Sequence, residues 1–421
     1  MYKKHTLENG LRIIEIPEAD SPTITLLVLV EAGSKYETKD INGISHFLEH
    51  MIFKGTKKRP TPFDIAAPID SVGGGFNAFT GQEYTGYYIK VEKRYFDLAL
   101  DVLSDIFLNS IFPKEEIEKE RGVIVAEINM YLDMPQRYVG ELWHEVLYGD
   151  QPAGWDVAGK KEVIKNVQRD DFLKYLHEHY LAPGTLVVVS GGFGMGDKLA
   201  KIKKAFSPIK NNSPRGKISV IENQNQPKSL LFYKKTDQTH LILGGRAYSF
   251  FDKRVYAQDV LSAILGGGMS SRLFQVIREE MGAAYYVRSD SENFTDHGYL
   301  AAAAGVHNER VIDVLKVILK EFKKIKDFSI SPKELKKAKD FIKGGLALSL
   351  ERSNDKAFFC GMQEILKRKI LTPKEIFKAI DAVRVSDIKA IASDIFRGDK
   401  LNLALIGPFK DKKPFEKILN I

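Results

Sequence analysis

The sequence predicts an α+β fold made of two homologous α/β domains that arose by internal duplication, each a mixed or antiparallel sheet packed with helices. Three observations point there. Short runs of β-branched and aliphatic residues alternate with long helical runs, the pattern of helices layered on a sheet. Landmarks of the first half recur in the same order in the second half at an offset of about 216 residues, and repetition at a fixed period means copies of one unit. At 421 residues the chain has room for two such cores, since a domain takes roughly 150 residues.

Taken in order, the first strand is Gly10 to Ile16. The strand Leu26-Leu27-Val28-Leu29-Val30 recurs as Leu241-Ile242-Leu243. Asn77 to Thr80 reads as a hairpin partner of Tyr84 to Val91, which favours an antiparallel or mixed sheet. Pro113-Lys114-Glu115 opens a long helical run and recurs as Pro332-Lys333-Glu334; proline in the first turn followed by acids suits a helix start. Asp171-Phe172-Leu173-Lys174 returns as Asp387-Ile388-Lys389, and Leu186 to Val189 with Gly192-Phe193 returns as Leu403 to Ile406 with Pro408-Phe409. The polar stretch 207–226, containing Asn211-Asn212-Ser213-Pro214-Arg215-Gly216, is the expected boundary. The domains are therefore expected at 1–210 and 229–421, joined by a linker at 211–228.

Composition narrows the function. With 63 basic and 55 acidic residues the net charge of +8 is a diffuse excess, which aids solubility but does not argue for nucleic acid. The basic clusters Lys57 to Arg59 and Lys367 to Lys369 lack interleaved aromatics and read as solvated faces. The single cysteine, Cys360, sits in Phe358-Phe359-Cys360-Gly361-Met362 and is expected to be a buried, inert thiol. No apolar run approaches the length of a membrane span, and Met1-Tyr2-Lys3-Lys4-His5 leads straight into a strand. The expected location is cytoplasmic, with no membrane partner, although a removed presequence would leave the same picture.

Chemistry concentrates in His46-Phe47-Leu48-Glu49-His50, which uses two of only nine histidines. On a helix, His46, Glu49 and His50 lie within roughly a 100° arc, while Ile44, Phe47, Leu48, Met51 and Ile52 cover the rest. Imidazoles at i and i+4 can converge on one ion, and a catalytic zinc needs a third protein ligand with a fourth position open. Glu120 and Glu127, on the run that starts at Pro113, are both candidates: seven residues apart, they stack on one face at the edge of the stripe Ile117, Ile124, Ile128 and Tyr131. Carboxylates at such a boundary are costly unless paired or metal-bound. His177 and His179, at i and i+2, point apart on a helix and read as structural, as does His240 on a strand. The glycines at 191–196 lack the spacing and the downstream acid of a dinucleotide site.

With these residues in hand, His46-x-x-Glu49-His50 followed after 76 residues by Glu127 resembles the M16 peptidase family, the inverzincins. Gly73 to Thr80 with Tyr84 to Tyr88 resembles that family's Asn-Ala-x-Thr strand. Gly266-Gly267-Gly268-Met269-Ser270-Ser271-Arg272-Leu273-Phe274 and the span from Arg278 to Tyr285 resemble its glycine-rich loop and its Arg/Tyr pair. The likeness covers nearly the whole chain, and the length suits the half-size subfamily related to the mitochondrial processing peptidase.

The resemblance implies a LuxS/MPP-like metallohydrolase fold and one zinc ion per chain held by His46, His50 and Glu127. Glu49 is then the general base and Glu120 a carboxylate supporting the ligands. It further implies that Asn77 and Ala78 hold substrate backbone by strand addition, and that Arg278 and Tyr285 grip substrate and stabilise the oxyanion. Arg278 and Tyr285, seven residues apart, would share a helical face if the helix persists. In such half-size subunits the pair acts from the partner's second domain, which implies a homodimer enclosing a chamber. The implied activity is zinc-dependent endopeptidase cleavage of unfolded peptides or presequence-like segments. The rivals are a noncatalytic assembly or peptide-binding subunit of the same fold, and a metal-binding protein without hydrolysis. In the second copy the offset lands on Ala263-Ile264-Leu265-Gly266-Gly267, with no histidine or acid. The Gly266 to Gly268 loop there is either a substrate contact or the turn that opens a helix from Ser270 to Glu280.

Overall fold

Strands form where β-branched and aliphatic residues run together, because a pleated strand sends alternate side chains to opposite faces and both faces are covered here. The computed structural model describes residues 2–327 and 330–419. Among these, the first sheet comprises β1 (Lys3–Thr6), β2 (Arg12–Pro17), β3 (Thr23–Val30), β4 (Gly75–Thr80), β5 (Thr85–Glu92) and β6 (Thr185–Gly191). The second comprises β7 (Lys228–Tyr233), β8 (Gln238–Ala247), β9 (Ala284–Asn293), β10 (Gly298–His307) and β11 (Leu401–Gly407).

The strand orders are β1-β2-β6-β3-β5-β4 and β7-β11-β8-β10-β9. In each sheet one pair is parallel, β2 with β6 and β7 with β11, and the other pairs are antiparallel. Apart from β1, the second order repeats the first strand for strand, so both sheets are mixed and the duplication holds at the level of topology. β4 and β9 are the corresponding edge strands.

The first repeat carries helices α1 (Ile44–Met51), α2 (Pro62–Asp70), α3 (Phe96–Asn109), α4 (Lys114–Asp133), α5 (Pro135–Tyr148), α6 (Lys161–Ile164), α7 (Arg169–His179) and α8 (Leu199–Ala205). The second carries α9 (Val255–Gly266), α10 (Val311–Asp327), α11 (Pro332–Leu348), α12 (Ser353–Lys367), α13 (Pro373–Ala382), α14 (Val385–Ile395) and α15 (Lys413–Leu419). Residues 206–227 hold neither helix nor strand, in keeping with their proline, glycine and asparagine content.

The compact units do not follow the chain halves. One consists of Met1–Asn129, Asp156–Ile218 and Ser349–Ile370; the other of Met130–Trp155, Ser219–Leu348 and Leu371–Ile421. Each repeat thus gives one helix to the other sheet. α12 packs on β3 and β6, where Ala357, Cys360 and Ile365 meet Ile14, Leu27, Leu29, Leu186 and Val188. α5 packs on β8 and β11, where Val139, Leu142, Trp143 and Val146 meet Ile242, Ala301, Ala303, Ala404 and Ile406. Each fully buried aliphatic side chain contributes roughly 1.5–3 kcal/mol, so these faces are a large part of each core. Burial also pushes the Cys360 thiol up to about 11, which makes it the inert thiol expected.

One surface expectation is corrected. Arg59 is not solvated: it is buried, with Nη1 donating to Asp105 Oδ2 at 2.6 Å and Nη2 to Asp101 Oδ2 at 2.5 Å. The acids on α3 neutralise it, a pairing that a cluster of adjacent basic residues does not reveal.

Candidate metal centre

The motif helix α1 is fixed at its start by a buried acid. Glu37 accepts from Ser45 N (2.8 Å) and Ser45 Oγ (2.6 Å) through one oxygen, and from Gly43 N (2.7 Å) and Asn42 Nδ2 (2.9 Å) through the other. A carboxylate there satisfies orphan amides and complements the helix dipole. Gly43 precedes the helix at φ 97°, and a Cβ on it would lie 2.7 Å from Ala158 O, so only glycine fits. Ile44, Phe47, Leu48 and Met51 are fully buried, with Phe47 edge-on to Phe172 at 4.9 Å. That apolar face leaves His46, Glu49 and His50 on the opposite side.

The imidazoles of His46 and His50 lie 4.6 Å apart, centre to centre. Glu127 Oε2, from α4, is 3.7 Å from His46 Nε2 and 3.7 Å from His50 Nε2. One ligand atom from each of the three residues falls within 4.8 Å of the others. Ligands at ordinary zinc distances around a tetrahedral ion sit about 3.3 Å apart, so this donor set fits zinc, two imidazole nitrogens and one carboxylate oxygen being a usual catalytic set.

Glu120 takes the second role. Its Oε1 is 2.8 Å from His50 Nδ1 and its Oε2 is 2.5 Å from Lys54 Nζ. Holding Nδ1–H leaves Nε2 as the lone-pair nitrogen facing Glu127, the arrangement that orients a ligating histidine. Burial pushes the Glu120 carboxyl up, but hydrogen bonds from His50 and Lys54 outweigh it and hold the group below its usual range. For His50 burial pulls the pKa down, yet Glu120, Glu49 and Glu127 carry it above the ordinary value.

Glu49 Oε2 accepts from Thr80 Oγ1 at 2.6 Å. Burial raises its carboxyl pKa, opposed by Thr80 and by the nearby His50, which moves it in the direction a general base working near neutrality requires. Thr80 ends the edge strand β4, on which Asn77 is exposed and Ala78 half-buried. Ala78 N–H donates to Asn77 Oδ1 at 2.9 Å, and on its one paired side β4 binds β5 with Asn77 opposite Tyr88.

Thus the structure brings His46, Glu49, His50, Glu120 and Glu127 together, with Asn77 and Ala78 on the strand that delivers Thr80. Sequence reasoning missed three supporting residues: Glu37, Lys54 and Thr80. Lys54 lies four residues past His50, a spacing that could have flagged it, whereas Glu37 and Thr80 act through turns and a strand that no local period encodes.

Arg278 and Tyr285 belong to the other compact unit, and the shared helical face expected for them is corrected. Arg278 lies in the π-helical turn Phe274–Glu280, whereas Tyr285 is already in β9. Gly282, at φ 57°, ends the helix between them. They still meet, because Arg278 Nη1 donates to Tyr285 O and the guanidinium lies 6.0 Å from the Tyr285 ring, which is 73% exposed. In the glycine-rich loop a Cβ on Gly266 would lie 2.2 Å from Ser289 N and one on Gly267 2.6 Å from Ala263 Cα. Close backbone packing accounts for those glycines.

A duplicated α/β chain whose H-x-x-E-H helix converges with a glutamate from a later helix is the inverzincin class of zinc peptidase architecture. The chain belongs to peptidase family M16: residues 12–161 match the model of the insulinase family (peptidase family M16), and residues 166–341 match that of the peptidase M16 inactive domain. It is 36% identical to the uncharacterized zinc protease YmxG of Bacillus subtilis, over 97% of this chain and 98% of that one. An uncharacterized zinc protease of Rickettsia felis is 34% identical over 96% of both chains. Among solved structures, a protease from Helicobacter pylori superposes with a TM-score of 0.90 at 24% identity, covering 97% of this chain and 99% of that one. A peptidase M16 inactive domain protein from Pseudomonas fluorescens gives 0.88 at 17% identity, covering 97% and 98%.

Proposed function

We propose that this protein is a zinc-dependent endopeptidase that hydrolyses peptide bonds in unfolded peptides or presequence-like segments, working as a homodimer that encloses a chamber. The observation that carries this reading is Glu49, a half-buried carboxylate fixed by Thr80 beside three convergent ligand atoms. A noncatalytic subunit has usually lost a residue of this motif, and none is missing here.

His46, His50 and Glu127 would hold the zinc, which when bound would supply Lewis acidity and a water nucleophile at neutral pH. Glu49 accepts the proton of the attacking water and returns it to the leaving amine. Thr80 holds one oxygen of Glu49 still, leaving the other for the proton. Glu120 fixes the orientation of His50 and is itself held by Lys54. β4 offers an unpaired edge to which substrate backbone adds at Asn77 and Ala78, giving affinity with little sequence demand. Arg278 and Tyr285 of the partner subunit's second domain grip the substrate and stabilise the developing oxyanion.

The test is a mixed peptide library read by mass spectrometry, with metal content measured in parallel. Wild-type protein is expected to cleave peptides and to hold about one zinc per chain. Glu49→Gln is expected to abolish turnover and keep the metal; undiminished cleavage by that variant would remove Glu49 from its role. Chains carrying His46→Ala and Arg278→Ala, each inactive alone, are expected to regain activity when mixed. Absence of rescue in demonstrated mixed dimers would contradict a pair acting across subunits.

A further inference from the structure

The hairpin that delivers Thr80 is held at its turn by a buried ion pair. Lys35, in the single turn Ser34–Tyr36 that follows β3, is fully buried, and Glu83, in the turn between β4 and β5, is 2% exposed. Lys35 Nζ donates to Glu83 Oε1 at 3.0 Å, and Lys217 Nζ donates to the same oxygen. Backbone bonds run alongside: Lys35 N–H donates to Gln82 O at 2.9 Å and Ser34 N–H to Gly81 O at 3.3 Å, while Thr85 Oγ1 donates to Ala32 O at 2.9 Å. The approach is so close that a Cβ on Gly33 would lie 2.3 Å from Gly81 O.

The far side of the same loop reaches the motif helix. Glu37, two residues after Lys35, is the acid that caps α1 through the Gly43 and Ser45 N–H groups. Tyr175 makes a second tie, its hydroxyl lying 3.3 Å from Gly33 O and 2.8 Å from Ser45 Oγ. At the start of the hairpin turn, Thr80 donates to Glu49 on α1. These contacts close a ring: from α1 to Glu37 and Lys35, across to Glu83, along the turn to Thr80, and back to Glu49. Every member lies in the first compact unit. A buried ion pair adds little stability over an apolar pair of similar volume, so stability does not account for one here. What a buried pair does supply is register, because each charge must stay opposite the other.

We propose that Lys35 and Glu83 are positioning residues for Glu49: the pair fixes the hairpin turn relative to α1, and so holds Thr80 against the Glu49 carboxylate. Both side chains are buried, so they act through Thr80 and not on the substrate. The kinetic consequence rests on the peptidase reading above; the mechanical coupling of the pair to Thr80 does not.

The experiment is steady-state cleavage of a peptide that the wild-type protein cuts, run on full-length zinc-loaded protein, with urea unfolding of the same variants alongside. Lys35→Met combined with Glu83→Leu removes both charges of the pair together, and the remaining Lys217 is partly exposed. The kcat of this double variant is expected to fall roughly tenfold to a hundredfold, the effect of displacing a catalytic group by about an ångström, with KM and zinc content nearly unchanged. Thr80→Val alone is expected to lower kcat as well, and adding it to the double variant to lower kcat little further, because the three residues act along one path. A purely structural role would lower the urea midpoint and leave the kcat of the folded protein in place. Wild-type kcat in the folded double variant would therefore overturn the proposal, as would losses that simply multiply. Should the double variant not fold, Glu83→Gln, which can still accept from both lysines, decides through the same cycle with Thr80→Val. Should the wild-type protein cut no peptide, the peptidase reading fails, and the cycle is read from urea unfolding instead. There, non-additive losses between the pair and Thr80 support the coupling and additive ones overturn it.

Discussion

At the scale of single residues, the centre is an arrangement of ligands and of groups that hold them. Lys54 shows how far that support reaches. Its ammonium lies 2.5 Å from Glu120 Oε2 while the other oxygen is 2.8 Å from His50 Nδ1, so one buried carboxylate ties a cation to a candidate ligand. Lys54→Met leaves Glu120 with one of these partners, and zinc affinity measured by competition with a chelator is expected to fall about 10- to 100-fold, the usual effect of losing an outer-shell partner. Lys54→Arg keeps a cation at that oxygen and is expected to retain most of the affinity. Unchanged affinity in Lys54→Met would show that Glu120 holds its place unaided. His46, Glu49 and His50 were legible in the sequence because three chemical groups at helical spacing announce themselves. Glu120 and Glu127 were legible only as a pair. Seven residues put both on one face, and the tertiary approach of α4 to α1 decided which one reaches the Nε2 atoms and which the Nδ1.

At the scale of elements, helix faces follow from periodicity and helix ends from chemistry close in sequence. α7 starts as its composition suggests, with Asp171 capping the backbone of Gln168 at 2.8 Å, and it ends on His179, set aside above as structural. That imidazole is buried between Tyr36 and Tyr175, 5.7 and 4.4 Å away, and burial drives its pKa down to about 4. The unfolded chain therefore takes up a proton near pH 6.5 that the folded chain refuses until about pH 4. Stability from this residue is intact above pH 6.5 and is lost as the pH falls through that window, by up to about 3 kcal/mol. Urea unfolding across pH 4–7 should show His179→Phe with a shallower acid decline than wild type; parallel curves would place the titration elsewhere. The helical reading of Arg278 to Tyr285 went wrong on an equally local matter. Gly282 stops the helix and hands the chain to β9, and a seven-residue spacing carries no information about a stop placed between its ends.

At the scale of the whole molecule, the two repeats exchange helices. α12, from the second half, covers Leu27, Leu29, Leu186 and Val188 of the first sheet, so a chain of residues 1–218 would present that apolar face to water. Such a chain is expected to lack a cooperative unfolding transition by itself and to gain one when a peptide of residues 349–370 is added, followed by circular dichroism in urea. A sharp transition without the peptide would show that the first sheet is stable uncovered. The compact units are assembled from three segments each, so a single boundary at 211–228 does not separate them.

By itself the sequence determined the duplication, several of the strands and helices in each copy, and the helix that gathers two imidazoles and a carboxylate. Each of these is written in local spacing, which the backbone reads directly. The tertiary structure alone decided which carboxylate oxygen meets both Nε2 atoms, which hydroxyl steadies Glu49, and which sheet each exchanged helix covers. Periodicity specifies that a face is apolar or polar; it does not specify what that face meets, because the meeting is settled by contacts among residues tens to hundreds of positions apart.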